Sequence, residues 1–291
     1  MTSAVVSSTG VYCSSGTEHD LSLAAAWRCL DASSDEERHS VVLAVADAEG
    51  AVAWSAPDGL RIVRLTRGSS VQPGLPYLGP VHHHRVATPA SRRAPVTMLM
   101  TDTGLDLLWS PDHHSVQWLN ERPGIPIGPA APRPELELRG ERLGTLDVTL
   151  DTSRTAWLAA ATERGALLLA RWDLVYDVVE PWERLQCPLP AVRRAVLVRV
   201  AGRPTILAVA PDGTVLATDL RAAVARGAPW NAVEVPSGLR VLRATAGIVA
   251  VSDSDGRARL AAASGNRLWS ADLTCTAGRT SCSAVIEAVI N

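Results

Sequence analysis

The residue types and patterns that this sequence lacks already exclude several classes of protein. Its 291 residues include no phenylalanine and no lysine, so all 28 basic side chains are arginines, set against 30 acidic ones for a net charge of −2. That balance, without a basic run, argues against a nucleic-acid-binding protein. No apolar stretch approaches the roughly 20 residues of a membrane-spanning helix. With 47% hydrophobic and 20% charged residues, the chain is not disordered, and we expect a globular protein with a sizeable core.

Cysteine is also scarce. The five cysteines form no CxxC pair, and their odd number argues against a framework of disulfides. The first residues, Met1–Ser8, have neither the basic nor the apolar region of a secretory signal peptide, so we expect a cytoplasmic location. The rarity of Lys, Phe and Asn, whose codons are AT-rich, indicates a high-GC bacterial coding sequence. No motif predicts a cofactor.

A repeat of short apolar strands runs along the chain. In one copy Val41–Ala46, Ala51–Ser55 and Leu60–Leu65 alternate with turns, and Asp58-Gly59 between the last two strands is a strong hairpin signal. Copies begin near residues 4, 41, 96, 146, 195 and 241. A period of roughly 40–50 residues with three or four strands is typical of propeller blades. We therefore predict a single all-β domain over 1–291, a six-bladed β-propeller, with seven blades as the alternative.

Two further features concern packing and closure. Trp54, Trp109 and Trp157 recur on the middle strand of their copies, so we expect them to pack between blades rather than to bind a ligand. The C-terminal strand Ser283–Ile290 is surplus, while the first copy is one strand short. We expect this strand to pair with the N-terminal blade and to close the ring. Candidate fourth strands are Val81–Val86, Glu135–Arg139, Trp182–Gln186 and Trp230–Val235.

The third strands carry a resemblance to a known family. The segment from Ala208 to Leu220 resembles the middle of a WD-repeat blade, as do Arg171–Leu174 and Trp269–Leu273. Only Trp172-Asp173 is a literal Trp-Asp dipeptide, and the Gly-His dipeptide of the family is absent. The chain is thus similar to a degenerate WD-repeat-like β-propeller. This resemblance implies a recognition platform or scaffold that binds a protein partner, although propellers also host hydrolases, lyases and lectins.

The turns between second and third strands gather acidic residues on one face. We single out as candidate binding residues Asp58, Asp112, His113, His114, Glu163, Arg164, Asp212, Asp253 and Asp255. One interpretation is turn chemistry, because Asp before Gly suits a tight turn. The other is an acidic rim around a central channel that binds a cationic or Arg-rich partner.

Histidines supply the weakest candidates. His113-His114 replaces the glycine of its turn, and imidazole is a natural general base, so these two residues are candidate catalytic groups, although we expect them to be exposed in a loop. His82 and His84 would share one face of a strand and could ligate Zn²⁺ with a third ligand from elsewhere. No Cys or carboxylate adjoins them, so we do not predict a metal.

Three function classes remain open. The leading hypothesis is a non-catalytic module that binds a protein or a small ligand through the propeller rim, with no nucleic-acid or membrane partner. The alternative is a propeller hydrolase, lyase or cyclase of a specialised bacterial pathway, with its site at the central channel. A third is a lectin, which the poor supply of Tyr weakens. A deep pocket with two titratable groups within hydrogen-bond reach would favour the enzyme.

Overall fold

The structure is a computed structural model. It describes residues 2–7, 10–15, 28–31, 41–46, 49–56, 58–66, 82–86, 90, 94–101, 103–122, 125–152, 154–224, 229–233, 249–252, 258–264, 267–276, 279–282 and 286–289.

The described residues form six antiparallel sheets, which we number in chain order. Sheet 1 contains β1 (Thr2–Ser7), β2 (Gly10–Ser15) and β3 (Arg28–Asp31). Sheet 2 contains β4 (Val41–Ala46), β5 (Glu49–Ala56), β6 (Gly59–Thr66) and β7 (His82–Val86). Sheet 3 contains β8 (Val96–Thr101), β9 (Gly104–Trp109), β10 (Gln117–Glu121) and β11 (Ala131–Pro132), followed by a 3-10 turn at Pro134–Leu136.

The later sheets repeat this plan. Sheet 4 contains β12 (Leu143–Thr152), β13 (Thr155–Thr162), β14 (Leu167–Asp173), β15 (Val178–Val179) and β16 (Glu183–Arg184). Sheet 5 contains β17 (Arg194–Val200), β18 (Arg203–Val209), β19 (Val215–Asp219) and β20 (Asn231–Ala232), with the short helix α1 (Leu220–Val224) after β19. Sheet 6 contains β21 (Val249–Ser252), β22 (Ala258–Ser264), β23 (Arg267–Thr276), β24 (Arg279–Cys282) and β25 (Ile286–Val289). No helix of the described residues is long and apolar enough to cross a membrane.

The sheets are arranged around their first strands. β4 contacts β8, β8 contacts β12, β12 contacts β17, and β17 contacts β21, while β1 contacts both β4 and β22. Within each sheet the first strands, up to the fourth, pair in chain order, so the second, third and fourth strands lie progressively farther from these inner strands. Sequential antiparallel pairing needs only short turns, which keeps the entropy of loop closure low.

Apolar side chains fill the spaces between neighbouring sheets. Trp54 (1% exposed) and Trp109 (0% exposed) are buried, and the indole N–H of Trp109 donates to Ser55 Oγ at 3.1 Å. Trp157 is partly buried and packs with residues of sheets 4 and 5. These positions confirm that the middle-strand tryptophans are packing residues. At about 25 cal/mol per Å² of apolar surface removed from water, such rings are among the largest single contributions to the core.

The prediction that the C-terminal strand closes the ring is wrong. β25 pairs with β23 of its own sheet, with Arg267 opposite Val289 and Ser270 opposite Ile286, and sheet 1 has three described strands. The reason is the length of β23. β24 covers only Leu273–Thr276, so without β25 the edge of β23 that faces away from β22 would be unpaired at Arg267–Ser270. Only residues 283–285 separate β24 from β25, which makes this local pairing entropically cheap.

Several outer strands also differ from expectation. The fourth strand of sheet 3 is Ala131–Pro132, whereas Glu135–Arg139, predicted as a strand, contains part of a 3-10 turn. In sheet 4 two short segments, β15 and β16, share the edge of β14. Val249–Ser252 is the first described strand of sheet 6, and the repeat start near 241 lies outside the described residues.

Candidate functional site

The turns between second and third strands lie against the segment that leads into the next sheet. In sheet 3 the N–H of Leu143 donates to the carbonyl of His113 at 2.7 Å. In sheet 4 the N–H of Glu163 donates to the carbonyl of Arg142 at 2.8 Å, and the N–H of Val192 donates to that of Gly165 at 2.9 Å. These hydrogen bonds place the turns between second and third strands on the same face as the segments that lead into the next sheet, as the strand pattern predicts.

Two carboxylates of this face, Asp112 and Asp212, hold the backbone of their own turns. Asp112 accepts the N–H groups of His114 (2.9 Å) and Ser115 (2.8 Å) and the Ser115 hydroxyl (2.8 Å). Burial opposes ionisation of Asp112, but these hydrogen bonds outweigh it and lower the pKa. Asp212 accepts the N–H and hydroxyl of Thr214 at 2.8 and 3.0 Å. The carboxylate of Asp58 lies 2.9 Å from Arg85.

The two turn histidines have different environments. His114 is exposed, and its Nδ1 lies 2.8 Å from the carbonyl of Glu141. The expectation of exposure is wrong for His113, which is only 3% exposed, because its Nδ1 bonds the carbonyl of Leu143 at 2.7 Å. His113 adopts φ 67°, the conformation that glycine has in the equivalent turns. Glu163 Oε1 lies 3.8 Å from His113 Nδ1, and Arg164 is exposed.

The remaining sequence candidates do not meet in the described structure. His84 is exposed on β7, while the side chain of His82 is not described. Asp253 and Asp255 lie outside the described residues. Among the residues that the structure describes, no group of three metal-ligating side chains lies close enough to hold an ion.

A cluster that sequence reasoning missed joins sheets 3 and 4. The guanidinium of Arg133 lies 4.1 Å from the ring centre of Trp118 and 5.9 Å from that of Trp172. The two indoles meet edge-on, with centroids 6.4 Å apart and planes at 89°. Arg133 Nη2 lies 2.7 Å from both carboxylate oxygens of Asp177, and Trp172 Nε1 donates to Oδ1 of Asp177 at 3.0 Å. Asp177 thus accepts from an arginine and an indole at once.

A second carboxylate repeats this arrangement beside the first. Arg122 donates from Nη2 to Asp106 Oδ1 at 2.8 Å and from Nη1 to Oδ2 at 3.2 Å. The indole N–H of Trp118 donates to the same carboxylate at 3.0 Å. We call these six residues the Trp–Asp–Arg cluster: Asp106, Trp118, Arg122, Arg133, Trp172 and Asp177. The two carboxylates differ in exposure, at 5% for the side chain of Asp106 and 44% for that of Asp177.

An exposed hairpin tip borders the cluster. The turn between β14 and β15 carries Tyr176 at 78% exposure, flanked by Val175 and Val178 at 57% and 56%. Asp173 fixes the backbone of this turn, because its Oδ1 accepts the N–H groups of Val175 and Tyr176 at 2.9 and 3.1 Å. Large exposed apolar side chains beside polar groups are typical of binding surfaces. Here the tyrosine precedes Asp177 directly in the chain.

A different carboxylate lies among the inner strands. Asp147 on β12 accepts the N–H of Leu197 on β17 at 2.8 Å, the N–H of Val148 at 2.9 Å and the hydroxyl of Thr97 on β8 at 3.4 Å. Desolvation by burial raises its pKa to about 6, although these hydrogen bonds and the nearby Arg194 pull the pKa down. Asp147 therefore links three successive sheets.

Comparison with known proteins bears on the fold. No family model matches the sequence, and no curated protein matches it. Among solved structures, AofleA from Arthrobotrys oligospora superposes with a TM-score of 0.57 at 12% identity, over 99% of this chain and 88% of that one. The SapL1 lectin in complex with alpha methyl fucoside gives 0.54 at 10% identity, over 99% and 95%. An alpha-L-arabinofuranosidase (CtGH43) from Clostridium thermocellum gives 0.52 at 10% identity, over 88% and 96%.

The fold is a β-propeller. At these identities the likeness concerns the fold alone. The narrower WD-repeat resemblance receives no support from the comparisons. In the one literal Trp-Asp dipeptide, Trp172 bonds Asp177 and Asp173 caps the following turn, so both residues serve the outer hairpin of this sheet.

Proposed function

We propose that this protein binds carbohydrate at the outer junction between sheets 3 and 4, with Tyr176 as the stacking surface and Asp177 and Arg133 as the polar groups. The observation that carries the proposal is Tyr176, a residue that is 78% exposed while its backbone N–H is held by Asp173. A large exposed aromatic side chain next to a half-exposed carboxylate is typical of a binding surface. The propeller neighbours include a lectin and a glycosidase, which supports a saccharide as the ligand.

The chemistry of the tip suits a sugar. One face of a pyranose ring presents C–H groups that pack on an aromatic face, while its hydroxyls need donors and acceptors at the edge. Asp177 retains acceptor capacity towards solvent, since its side chain is 44% exposed. Val175 and Val178 extend the apolar surface on both sides of Tyr176. A protein-binding platform was the leading sequence hypothesis, and the comparisons favour carbohydrate instead.

Glycoside hydrolysis is the second candidate, and one observation favours it. A carboxyl group with a pKa of about 6, such as that of Asp147, can act as a general acid near neutral pH. Glycosidases use two carboxylates, roughly 5–10 Å apart. Both oxygens of Asp147 already accept hydrogen bonds from Leu197, Val148 and Thr97, which suits a structural link better than proton transfer. Binding without cleavage is therefore the better-supported function.

The finer architectural inference is that the six sheets are six blades of one ring. The succession of contacts between first strands and the contact of β1 with sheet 6 support it. A cytoplasmic location remains a prediction from the sequence.

A glycan array followed by calorimetry tests the proposed function. We expect the wild-type protein to bind at least one class of immobilised saccharide, and Tyr176→Ala to lower its affinity about tenfold, the loss expected for one stacked ring. Tyr176→Phe keeps the ring and should retain most of the affinity. Val224→Ala, which truncates an exposed side chain on sheet 5, is the matched control and should bind as wild type.

Two outcomes would contradict the proposal. One is that the folded protein binds no saccharide on the array. The other is that Tyr176→Ala binds as tightly as Val224→Ala, which would show that the exposed ring takes no part. Release of reducing sugar on incubation with the bound glycan would move the assignment to the hydrolase.

A further inference from the structure

The environment of Arg133 is built around a carboxylate. Its side chain is only 10% exposed and lies against two indoles, yet its Nη2 and the N–H of Trp172 both point at the carboxylate of Asp177. A guanidinium has five N–H donors. Nη1 makes one long contact of 3.5 Å, to the carbonyl of Asp177, and Nε is buried without a hydrogen-bond partner among the described residues. The donors therefore exceed what Asp177 uses.

The carboxylate that occupies this position is exchangeable. Asp177 belongs to the exposed hairpin tip, and its side chain is 44% exposed, so water can solvate it as soon as it leaves Arg133. Release needs only rotation about side-chain bonds. Water on the Asp177 side also weakens the pair, since solvent screens a partly exposed charge. A ligand carboxylate that enters against the indoles would be better shielded from water.

The neighbouring half of the cluster supplies an internal comparison. Asp106 receives the same two kinds of donor, from Arg122 and Trp118, but its side chain is 5% exposed. Removal of a buried carboxylate from its arginine would leave an uncompensated buried charge, which is strongly destabilising. The arrangement of one arginine and one indole around a carboxylate thus holds Asp106 in place, whereas at Asp177 the carboxylate can be exchanged.

We propose that the natural ligand is an acidic saccharide, and that the carboxylate of a uronic acid residue displaces Asp177 from Arg133. This inference rests on the proposed carbohydrate binding and specifies its ligand class. Arg133 then pairs with the sugar carboxylate, the N–H of Trp172 adds a second donor, and Tyr176 packs on the sugar ring. Asp177 acts as an internal competitor that holds the arginine in place in the absence of ligand.

The test compares each acid with its own ester. Oligomers of galacturonate, glucuronate and mannuronate, and the methyl ester of each, are titrated calorimetrically into the wild-type protein. Esterification removes the charge and keeps the ring. We expect at least one acid to bind about tenfold or more tightly than its ester, and the difference to shrink as salt is added.

Variants then test the competition. Asp177→Ala should raise affinity for that acid about tenfold, because Arg133 is no longer occupied, while affinity for the ester should not rise. Asp177→Asn, which keeps the shape, should act in the same direction and serves if the alanine variant is poorly folded. Arg133→Lys should abolish the preference for the acid, since an ammonium lacks the planar fork.

The outcomes separate the two proposals. If esters or neutral saccharides bind as well as acids and both Asp177 variants weaken all of them, carbohydrate binding stands and the inference of an acidic ligand is overturned. If neither acids nor neutral saccharides bind the wild-type protein, both fail.

Discussion

Asp147 offers the sharpest test of how the inner strands are held together. Its carboxylate accepts hydrogen bonds from Thr97 in sheet 3, from Val148 in its own sheet and from Leu197 in sheet 5. The positive charge of Arg194 attracts this carboxylate, and burial lowers the pKa of that arginine while Asp147 raises it. The perturbation is Asp147→Asn, which retains the size of the side chain and removes its titration.

The magnitude follows from the pKa. Burial raises the pKa from 3.8 to about 6, so the folded protein binds a proton more tightly than the unfolded chain does. The free energy of unfolding therefore increases as pH falls through about 6 and stops increasing below about 3.8. Linkage gives an increase of about 1.4 kcal/mol between about pH 7.5 and about pH 5, and about 3 kcal/mol over the whole range. The ionised state at neutral pH is the less stable one.

The assay is urea denaturation at several pH values between these limits. Seven histidines and the other carboxylates titrate in both proteins, so the quantity of interest is the difference in slope between wild type and Asp147→Asn. We expect the variant to lack about 1.4 kcal/mol of the increase on acidification. Glu180→Gln, an exposed residue of the same sheet, is the control and should keep the wild-type slope. Equal slopes in wild type and Asp147→Asn would refute the reasoning.

Three further predictions concern stability, each measured by chemical denaturation. Gly165→Ala should destabilise the fold by about 1–3 kcal/mol, because at φ 85° the new Cβ would lie 2.7 Å from the Cβ of Ala191. Gly140→Ala, at φ 79° with open space around it, is the control and should lose only about 1 kcal/mol. Equal losses in the two variants would contradict the steric argument. His113→Ala and His113→Gly both lose the hydrogen bond to Leu143, but only glycine adopts φ 67° without strain. The alanine variant should therefore be less stable than the glycine variant by about 1 kcal/mol. The reverse order would show that the turn is not strained. Trp230→Phe removes the 3.1 Å hydrogen bond from the indole N–H to the carbonyl of Gln186 and should lower the free energy of unfolding by about 1 kcal/mol. No loss would show that this hydrogen bond does not contribute to stability.

The inner half of each sheet could be predicted from sequence because its strands are long, apolar and bounded by recognisable turns. Val96–Thr101 and Arg194–Val200 are examples. The outer strands could not, because segments such as Ala131–Pro132 and Glu183–Arg184 are two residues long and show no alternation. Their position is decided by the free edge of the third strand and not by their own side chains.

The candidate site was harder to predict, because its members are distant in sequence. Trp118 and Trp172 recur on third strands, a signal that was available, but Arg133 follows a strand too short to recognise. Asp147 also left a signal: it is a charged residue within an apolar inner strand. The acidic turns attracted attention instead, since Asp before Gly is frequent, but two of their carboxylates, Asp112 and Asp212, bond the backbone of their own turns.

Distance from the inner strands decides what each of the carboxylates Asp147, Asp106 and Asp177 can do. Asp147, on a first strand, is held mainly by the backbone N–H of Val148 in its own sheet and that of Leu197 in sheet 5. These donors cannot move without separating the two sheets. Asp106, on a second strand, is held by side chains but is sealed from water. Asp177, beyond a third strand, is held by side chains and reaches solvent. Exchange of a protein carboxylate for a ligand carboxylate needs both movable donors and access to water, because the departing charge must be solvated. Of these three only Asp177 meets both conditions, so we assign the proposed ligand exchange to the outer edge of this junction and expect the inner carboxylate to affect stability.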